Sequence, residues 1–96
     1  MTYRTRSDHN QKDIVRALRV LGADVADTHN VGNGFPDLVV KFRGQVFLLE
    51  CKNLEGRGRK LTDDQKKFHA VWNDVTKTVT SIDEAYRAIG AIYENN

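Results

Sequence analysis

The chain of 96 residues is poor in several features that define common protein classes. It has a single cysteine, Cys51, so no internal disulfide can form and a reducing cytoplasm is the expected location. No apolar run approaches the length that crosses a membrane, and the polar N-terminus predicts no signal peptide. With 29% charged and 40% hydrophobic residues, the composition predicts a soluble globular protein without a membrane partner.

Internal repeats, low-complexity segments and histidine or cysteine clusters are also missing. The three histidines have no ligand-like spacing and there is no second cysteine to join them, which argues against a structural zinc site. The length suits one core, so we expect a single domain over residues 1–96.

The net charge of +2 says little about partners, but its distribution is uneven. Residues 56–67 are basic, whereas the last sixteen residues are acidic overall. This asymmetry suits a basic face that binds phosphates, and it equally suits a solvated loop and helix face. The basic residues in question are Arg57, Arg59, Lys60, Lys66 and Lys67.

Apolar periodicity predicts the element order α-β-β-β-α-β-α. We expect a first helix capped by Asp8 and ended by Gly22, a short strand over residues 24–28, and a hairpin built from the runs 38–40 and 46–49. A capping box formed by Thr62 and Gln65 opens the second helix.

The buried face predicted for that helix consists of Phe68, Val71, Trp72 and Val75, with base stacking as the alternative role of Trp72. A fourth strand over residues 76–80 and a last helix opened by a Ser81 and Glu84 capping box, through Ile89 and Ile92, complete the chain.

Three ionisable residues flank the most apolar strands. If Arg43 and Gly44 form a two-residue turn, the hairpin register places Asp37 opposite Glu50. Opposed carboxylates have Cβ atoms about 4.5–5.5 Å apart and repel each other. Because strand side chains alternate, Lys52 lies on the face of Glu50, and Cys51 points away as a small core residue.

A divalent cation would offset this repulsion, since Mg²⁺ is typically held by one or two carboxylates together with phosphate oxygens and water. Lys52 could then meet the phosphate or the attacking water. The competing interpretation is that Asp37 and Glu50 are solvated strand ends that Lys52 neutralises.

The Pro36-Asp37 pair, followed after twelve residues by Glu50-Cys51-Lys52, resembles the PD-(D/E)XK signature of restriction-endonuclease-like nucleases. Together with "VGNGFPDLVV", "LLECK" and "RKLTDDQKKFHAVW", the chain resembles the virus-type replication-repair nuclease (VRR-NUC) domains of bacteriophages over roughly residues 4–90. The resemblance implies an α/β fold with the αβββαβ core of these nucleases and a C-terminal helix.

The resemblance also implies site residues. Asp37, Glu50 and the backbone carbonyl of Cys51 would bind Mg²⁺ or Mn²⁺, and Lys52 would orient or activate the hydrolytic water. Gln11 occupies the position where such folds often carry a glutamate; it could bind metal through its amide oxygen or through water, or serve only as the capping partner of Asp8. Gln65 likewise could act as a capping residue or contact DNA near the site.

The implied function is a metal-dependent DNA endonuclease acting on branched DNA such as Holliday junctions, with the five basic residues and Gln65 binding DNA. A homodimer with two active sites fits that substrate, and the aromatic residues near Phe42 and on the last helix are candidates for its interface. The alternative is a catalytically weak or inactive DNA-binding module on the same fold, favoured by the absence of an acid at Gln11.

Overall fold

A computed structural model of the chain describes residues 6–52 and 60–91. The predicted element order is confirmed, and the elements are α1 (Arg6–Leu21), β1 (Asp24–Asp27), β2 (Leu38–Phe42), β3 (Gln45–Cys51), α2 (Asp63–Val71), β4 (Thr76–Val79) and α3 (Ile82–Ala88). None of the helices in these two ranges has the length and apolar character needed to cross a membrane.

The four strands form one sheet in the order β1-β2-β3-β4. The first three strands pair antiparallel, whereas β3 and β4 run parallel and are joined through α2. A parallel pair cannot be closed by a tight turn, so a longer crossover connection is needed between β3 and β4, and α2 lies within it. This is the predicted αβββαβ arrangement with a C-terminal helix.

The hairpin has the predicted register, with Phe42 opposite Gln45 and Leu38 opposite Leu49. Arg43 and Gly44 both adopt positive φ, at 52° and 81°, which is the geometry that a tight two-residue hairpin turn requires. The turn therefore determines which residues of β2 and β3 share a face, because side chains alternate along each strand.

One face of the sheet carries the core, together with α1 and α3. Alternate residues of β2 are buried there, and α1 contributes the side chains predicted from its periodicity. The core residues include Ile14, Leu18, Leu38, Val40, Phe42, Leu49, Val79, Ala85 and Ile89. Cys51 is partly buried against this core, as predicted.

Two capping predictions need correction. The first helix begins at Arg6, so Asp8 lies inside α1 and is not its N-cap. Ser81 does cap α3, because its Oγ accepts the Glu84 backbone N–H at 3.1 Å. The second bond of the predicted capping box, from the Ser81 backbone N–H to the Glu84 side chain, is replaced. The Glu84 carboxylate instead accepts from the backbone N–H and the hydroxyl of Thr80.

The buried face predicted for α2 is also wrong in part. Val71 is 75% exposed and Trp72 is 49% exposed, while Phe68 is only half-buried. The apolar spacing predicted one buried side for this helix, but no side chain of α2 is fully buried.

Several aromatic residues considered for a dimer interface belong to the core of the single chain. Phe42 is buried, and Phe47 and Tyr86 pack against the core. The Tyr86 hydroxyl also donates to the Ala17 carbonyl oxygen at 3.1 Å. Phe42 and Tyr86 therefore pack within the single chain, and Tyr3, Tyr93 and Ile92 lie outside the described residues.

Candidate active site

The candidate site lies where β2 begins and β3 ends. Asp37 directly precedes β2, and its Oδ2 accepts the backbone N–H of Cys51 at 2.9 Å. The last pair of the β2 and β3 ladder is Leu38 with Leu49, so this side-chain bond continues the pairing beyond the ladder. The sheet thereby brings the Asp37 carboxylate beside the residue that follows Glu50.

Glu50 is almost fully buried, with 2% of its surface exposed. Its Oε2 accepts a hydrogen bond from Gln65 Nε2 at 2.8 Å and lies 3.6 Å from Lys52 Nζ. Its Oε1 is buried and has no hydrogen-bond partner among the described residues. A buried carboxylate oxygen without a partner is costly, so this atom is suited to binding a ligand that the protein itself does not provide.

The pKa of Glu50 is raised to about 8, and burial is the largest cause. The negative charge of Asp37 contributes to this rise, whereas the positive charge of Lys52 opposes it. The two carboxyl groups are thus close enough to influence each other, as the hairpin register predicts. At neutral pH the metal-free Glu50 is mainly protonated.

Two hydrogen bonds of its backbone hold Lys52, one to β4 and one to α1. Its N–H donates to the Val79 carbonyl at 2.9 Å, and its own carbonyl accepts from Asn10 Nδ2 at 3.2 Å. The bond to Asn10 ties α1 to the end of β3, and no local pattern in the sequence indicates it. The ammonium group is anchored next to Glu50 because the residue carrying it extends the parallel pairing with β4.

Gln65 is the predicted capping partner of Thr62, and it also contacts the candidate site; its contact with DNA stays a prediction. Its Oε1 accepts the Thr62 backbone N–H at 2.8 Å, which completes the capping box of α2. Its Nε2 then faces Glu50 and donates to it. The capping bond thus orients the amide, with its oxygen toward the helix end and its nitrogen toward the carboxylate.

His69 is a site neighbour that the sequence analysis missed. It lies one helical turn after Gln65, and its Nε2 is buried without a hydrogen-bond partner in the described part of the chain. Burial and the nearby charge of Lys52 lower the pKa of His69. The four-residue spacing from Gln65 could have suggested that both side chains share a face.

Gln11 forms a hydrogen bond with a carboxylate other than Asp37 and Glu50. Its Nε2 donates to Asp27 Oδ1 at 3.4 Å, and the same oxygen lies 2.6 Å from His29 Nδ1. Burial opposes ionisation of Asp27, but hydrogen bonds and charge from His29 outweigh it and lower the pKa of this carboxyl group. Gln11, Asp27 and His29 line a cavity of about 800 Å³ between α1 and β1.

The predicted DNA-binding residues are only partly described. Lys60, Lys66 and Lys67 are exposed, whereas Arg57 and Arg59 lie outside the described residues. Lys66 and Lys67 belong to α2, the helix that carries Gln65. Lys66 and Lys67 therefore lie on the helix that contacts Glu50.

The donor set suits a hard divalent cation. Asp37 and Glu50 offer oxygen ligands, and the unpartnered Glu50 Oε1 leaves one of them available. Among residues 6–52 and 60–91 no group of three or more histidine, cysteine, aspartate or glutamate side chains converges as a metal site. Any ion bound here would therefore complete its shell with backbone oxygens, water or substrate.

Comparisons with known proteins give one informative match. No family model matches the sequence, and no curated protein matches it. A solved structure described as "VRR_NUC domain" has 24% sequence identity and a TM-score of 0.72, and the match covers 94% of this chain and 100% of that chain. The predicted resemblance is confirmed at the level of the fold: this chain has the restriction-endonuclease-like fold of a VRR-NUC domain.

Proposed function

We propose that the chain is a metal-dependent endodeoxyribonuclease that hydrolyses phosphodiester bonds in DNA. The observation that supports this best is the convergence of Asp37, Glu50 and Lys52 at one end of the sheet, with one oxygen of Glu50 buried and unpartnered. The nuclease fold supports the same proposal. Solvated strand ends would leave Glu50 exposed, and it is buried.

Asp37, Glu50 and the carbonyl of Cys51 would hold Mg²⁺ or Mn²⁺. Such an ion, when bound, stabilises charge on the scissile phosphate and lowers the pKa of bound water. Glu50 takes part by losing the proton that its raised pKa retains at neutral pH. Lys52, fixed by its backbone bonds to Val79 and Asn10, holds its ammonium where it can orient the water.

Gln65 keeps the Glu50 carboxylate in place through a bond to Oε2, which leaves Oε1 available. The exposed lysines Lys60, Lys66 and Lys67, together with Arg57 and Arg59, bind flanking phosphates without reading sequence. Affinity for DNA should then fall steeply with added salt, because each neutralised phosphate releases counterions.

The substrate class that we favour is branched DNA such as a Holliday junction, cut by a homodimer in a cytoplasmic, bacteriophage-related setting. Two symmetric nicks need two sites, and one chain of this length offers one. Light scattering should give twice the chain mass of 10.9 kDa. A monomer mass that persists on junction DNA would argue for a flap or single-strand nuclease instead.

The central test is a gel assay with four-way junction, flap and linear DNA in Mg²⁺, in Mn²⁺ and in EDTA. We expect product only with metal, and none from the Lys52→Met variant. Lys41→Met is a matched control, because Lys41 is an exposed lysine in β2. Metal-independent cleavage, or full activity without Lys52, would contradict the proposal.

A second candidate is a DNA-binding module with weak or absent cleavage. It is favoured by Gln11, which contributes no charge and contacts Asp27. If Gln11 takes part in the metal site, Gln11→Glu should tighten metal binding, since a third carboxylate adds an anionic oxygen ligand. An unchanged metal affinity of Gln11→Glu would show that Gln11 does not take part in the metal site. In the gel assay, a salt-sensitive mobility shift of DNA without cleavage product would favour the binding module.

A further inference from the structure

An aromatic cluster lies on α2 beside the candidate active site. Phe68 and Trp72 stack with ring centroids 5.7 Å apart at an interplanar angle of 14°, and Phe35 meets Phe68 edge-on at 5.3 Å. Trp72 closes the helix as its C-cap and is still 49% exposed. The outer ring of the stack thus has a face or edge free for contact with another molecule.

The cluster continues directly from the active site along one side of the helix. Gln65, Phe68 and Trp72 are spaced by three and four residues, which places them on one face. Gln65 contacts Glu50 at one end of this row, and Trp72 lies seven residues further on. At 1.5 Å per residue, the ring is roughly 10 Å from Gln65 along the helix axis, a distance of two or three nucleotides.

The exposed charges of the helix that carries the cluster favour an anionic occupant. Lys66 and Lys67 are exposed on the same helix and flank the face that carries Gln65 and the two rings. Aromatic rings next to cationic side chains are the combination that binds unpaired nucleotides, because the rings stack on bases while the cations meet the phosphates. An isolated apolar contact with another protein would not need the lysines.

We propose that Trp72, supported from behind by Phe68, is a stacking platform for an unpaired base two or three nucleotides from the scissile phosphate. The substrate would then contain single-stranded or unstacked nucleotides beside the cut, as occur at a branch point or flap. This inference rests on the proposed function only in that the ligand is nucleic acid.

Trp72 is the only tryptophan of the chain, so indole fluorescence reports on this ring alone. In EDTA, where the proposed cleavage cannot occur, a single-stranded oligothymidylate should quench the fluorescence. An abasic oligonucleotide of equal length carries the same phosphates without bases and should quench it far less. Equal quenching by both would overturn the proposal, because phosphate binding alone would then explain the signal.

Variants test the ring itself, with binding measured by anisotropy of a labelled oligothymidylate. Trp72→Leu should weaken binding roughly 5- to 150-fold, the range expected for loss of one stacked base, while Trp72→Phe should retain most of the affinity. Val71→Ala is the matched control, since Val71 is an exposed non-aromatic neighbour. Circular dichroism melts confirm that each variant is folded.

Unchanged affinity in Trp72→Leu would overturn the inference. If Trp72→Leu has half the mass of the natural protein in solution and an unchanged affinity for the oligonucleotide, the inference is also overturned. The cluster would then belong to an interface between two copies of the chain. Failure of the proposed function is distinguishable, because it would be seen as no metal-dependent product from the natural chain, whatever the binding result.

Discussion

The Asp37 carboxylate accepts the backbone N–H of Cys51 at 2.9 Å, so an acidic side chain at the start of one strand completes the hydrogen bonding of the next. The same carboxylate raises the pKa of Glu50. Asp37 therefore has two opposing effects on the metal-free protein: its hydrogen bond stabilises the strand end, and its charge disfavours ionisation of Glu50.

Replacement of Asp37 separates these two effects. Asp37→Asn should abolish cleavage with little loss of stability, because the amide oxygen can still accept the Cys51 N–H while the charge is removed. Asp37→Ala should also abolish cleavage but cost roughly 1–3 kcal/mol, since the Cys51 N–H then loses its partner. Thermal melts in EDTA and cleavage assays check both. Equal melting temperatures for the two variants would contradict the structural role of the hydrogen bond.

The raised pKa of Glu50 predicts an unusual dependence of stability on pH. The folded state holds a proton on Glu50 up to about pH 8, whereas the unfolded chain releases it near pH 4.5. The folded state thus binds more protons between these values, and the metal-free protein should lose stability as the pH rises from about 4.5 to 8. The loss is on the order of 3–5 kcal/mol at most.

Urea unfolding in EDTA at several pH values measures this effect. Glu50→Gln keeps a similar shape and removes the titrating group, so its stability should lack the decline. The same proton competes with metal, and calorimetric titration should show Mn²⁺ binding up to about 25-fold more tightly at pH 8.5 than at pH 6.5. A metal affinity independent of pH would count against Glu50 as a ligand.

Gln65 links the cap of α2 to Glu50, and two substitutions distinguish these contacts. Thr62→Ala removes the cap side chain and should cost about 1 kcal/mol with modest effect on cleavage. Gln65→Glu keeps an acceptor for the Thr62 N–H but replaces the donor to Glu50 with a third carboxylate. The metal-free variant should therefore be less stable at pH 8, and metal should restore its stability.

Melts of Gln65→Glu with and without Mn²⁺ give the measurement. The stabilisation by metal should exceed that of the natural chain under the same conditions, because the ion offsets one more negative charge. Equal stabilisation would mean that the side chain at position 65 does not reach the ion.

Gly34 sets the distance between the loop before Asp37 and α2. Its φ is +85°, and a Cβ at this position would overlap the Asp64 carbonyl group. Gly34→Ala should therefore displace α2 and weaken the Gln65 contact to Glu50. Gly32→Ala is a matched control, because Gly32 also has positive φ, at +78°, but no atom lies within 4 Å of its added Cβ.

We expect Gly32→Ala to cost roughly 1–2 kcal/mol from backbone strain alone. Gly34→Ala should cost about 1–3 kcal/mol more through the overlap, and should lower cleavage while Gly32→Ala does not. Chemical denaturation and the gel assay check these outcomes. Equal effects of the two substitutions would show that the loop and α2 do not depend on this close approach.

Local sequence patterns were sufficient to predict the element order, the hairpin register and the approach of Asp37 to Glu50. The reason is that these features depend on short-range rules. A two-residue turn at Arg43 and Gly44 determines every pair of the hairpin, and strand alternation then determines the face of Glu50 and Lys52. The capping box of Thr62 and Gln65 spans only four residues and formed as predicted.

Contacts between elements distant in the sequence were decided only by the tertiary structure. The angle and depth at which a helix packs on a sheet determine which of its polar side chains reach which strand end, and no local pattern encodes that position. Gln11 meets Asp27, Asn10 meets the Lys52 carbonyl, and His69 lies near Lys52 for this reason. The same depth leaves Val71 and Trp72 exposed on a helix whose periodicity predicted that they would be buried.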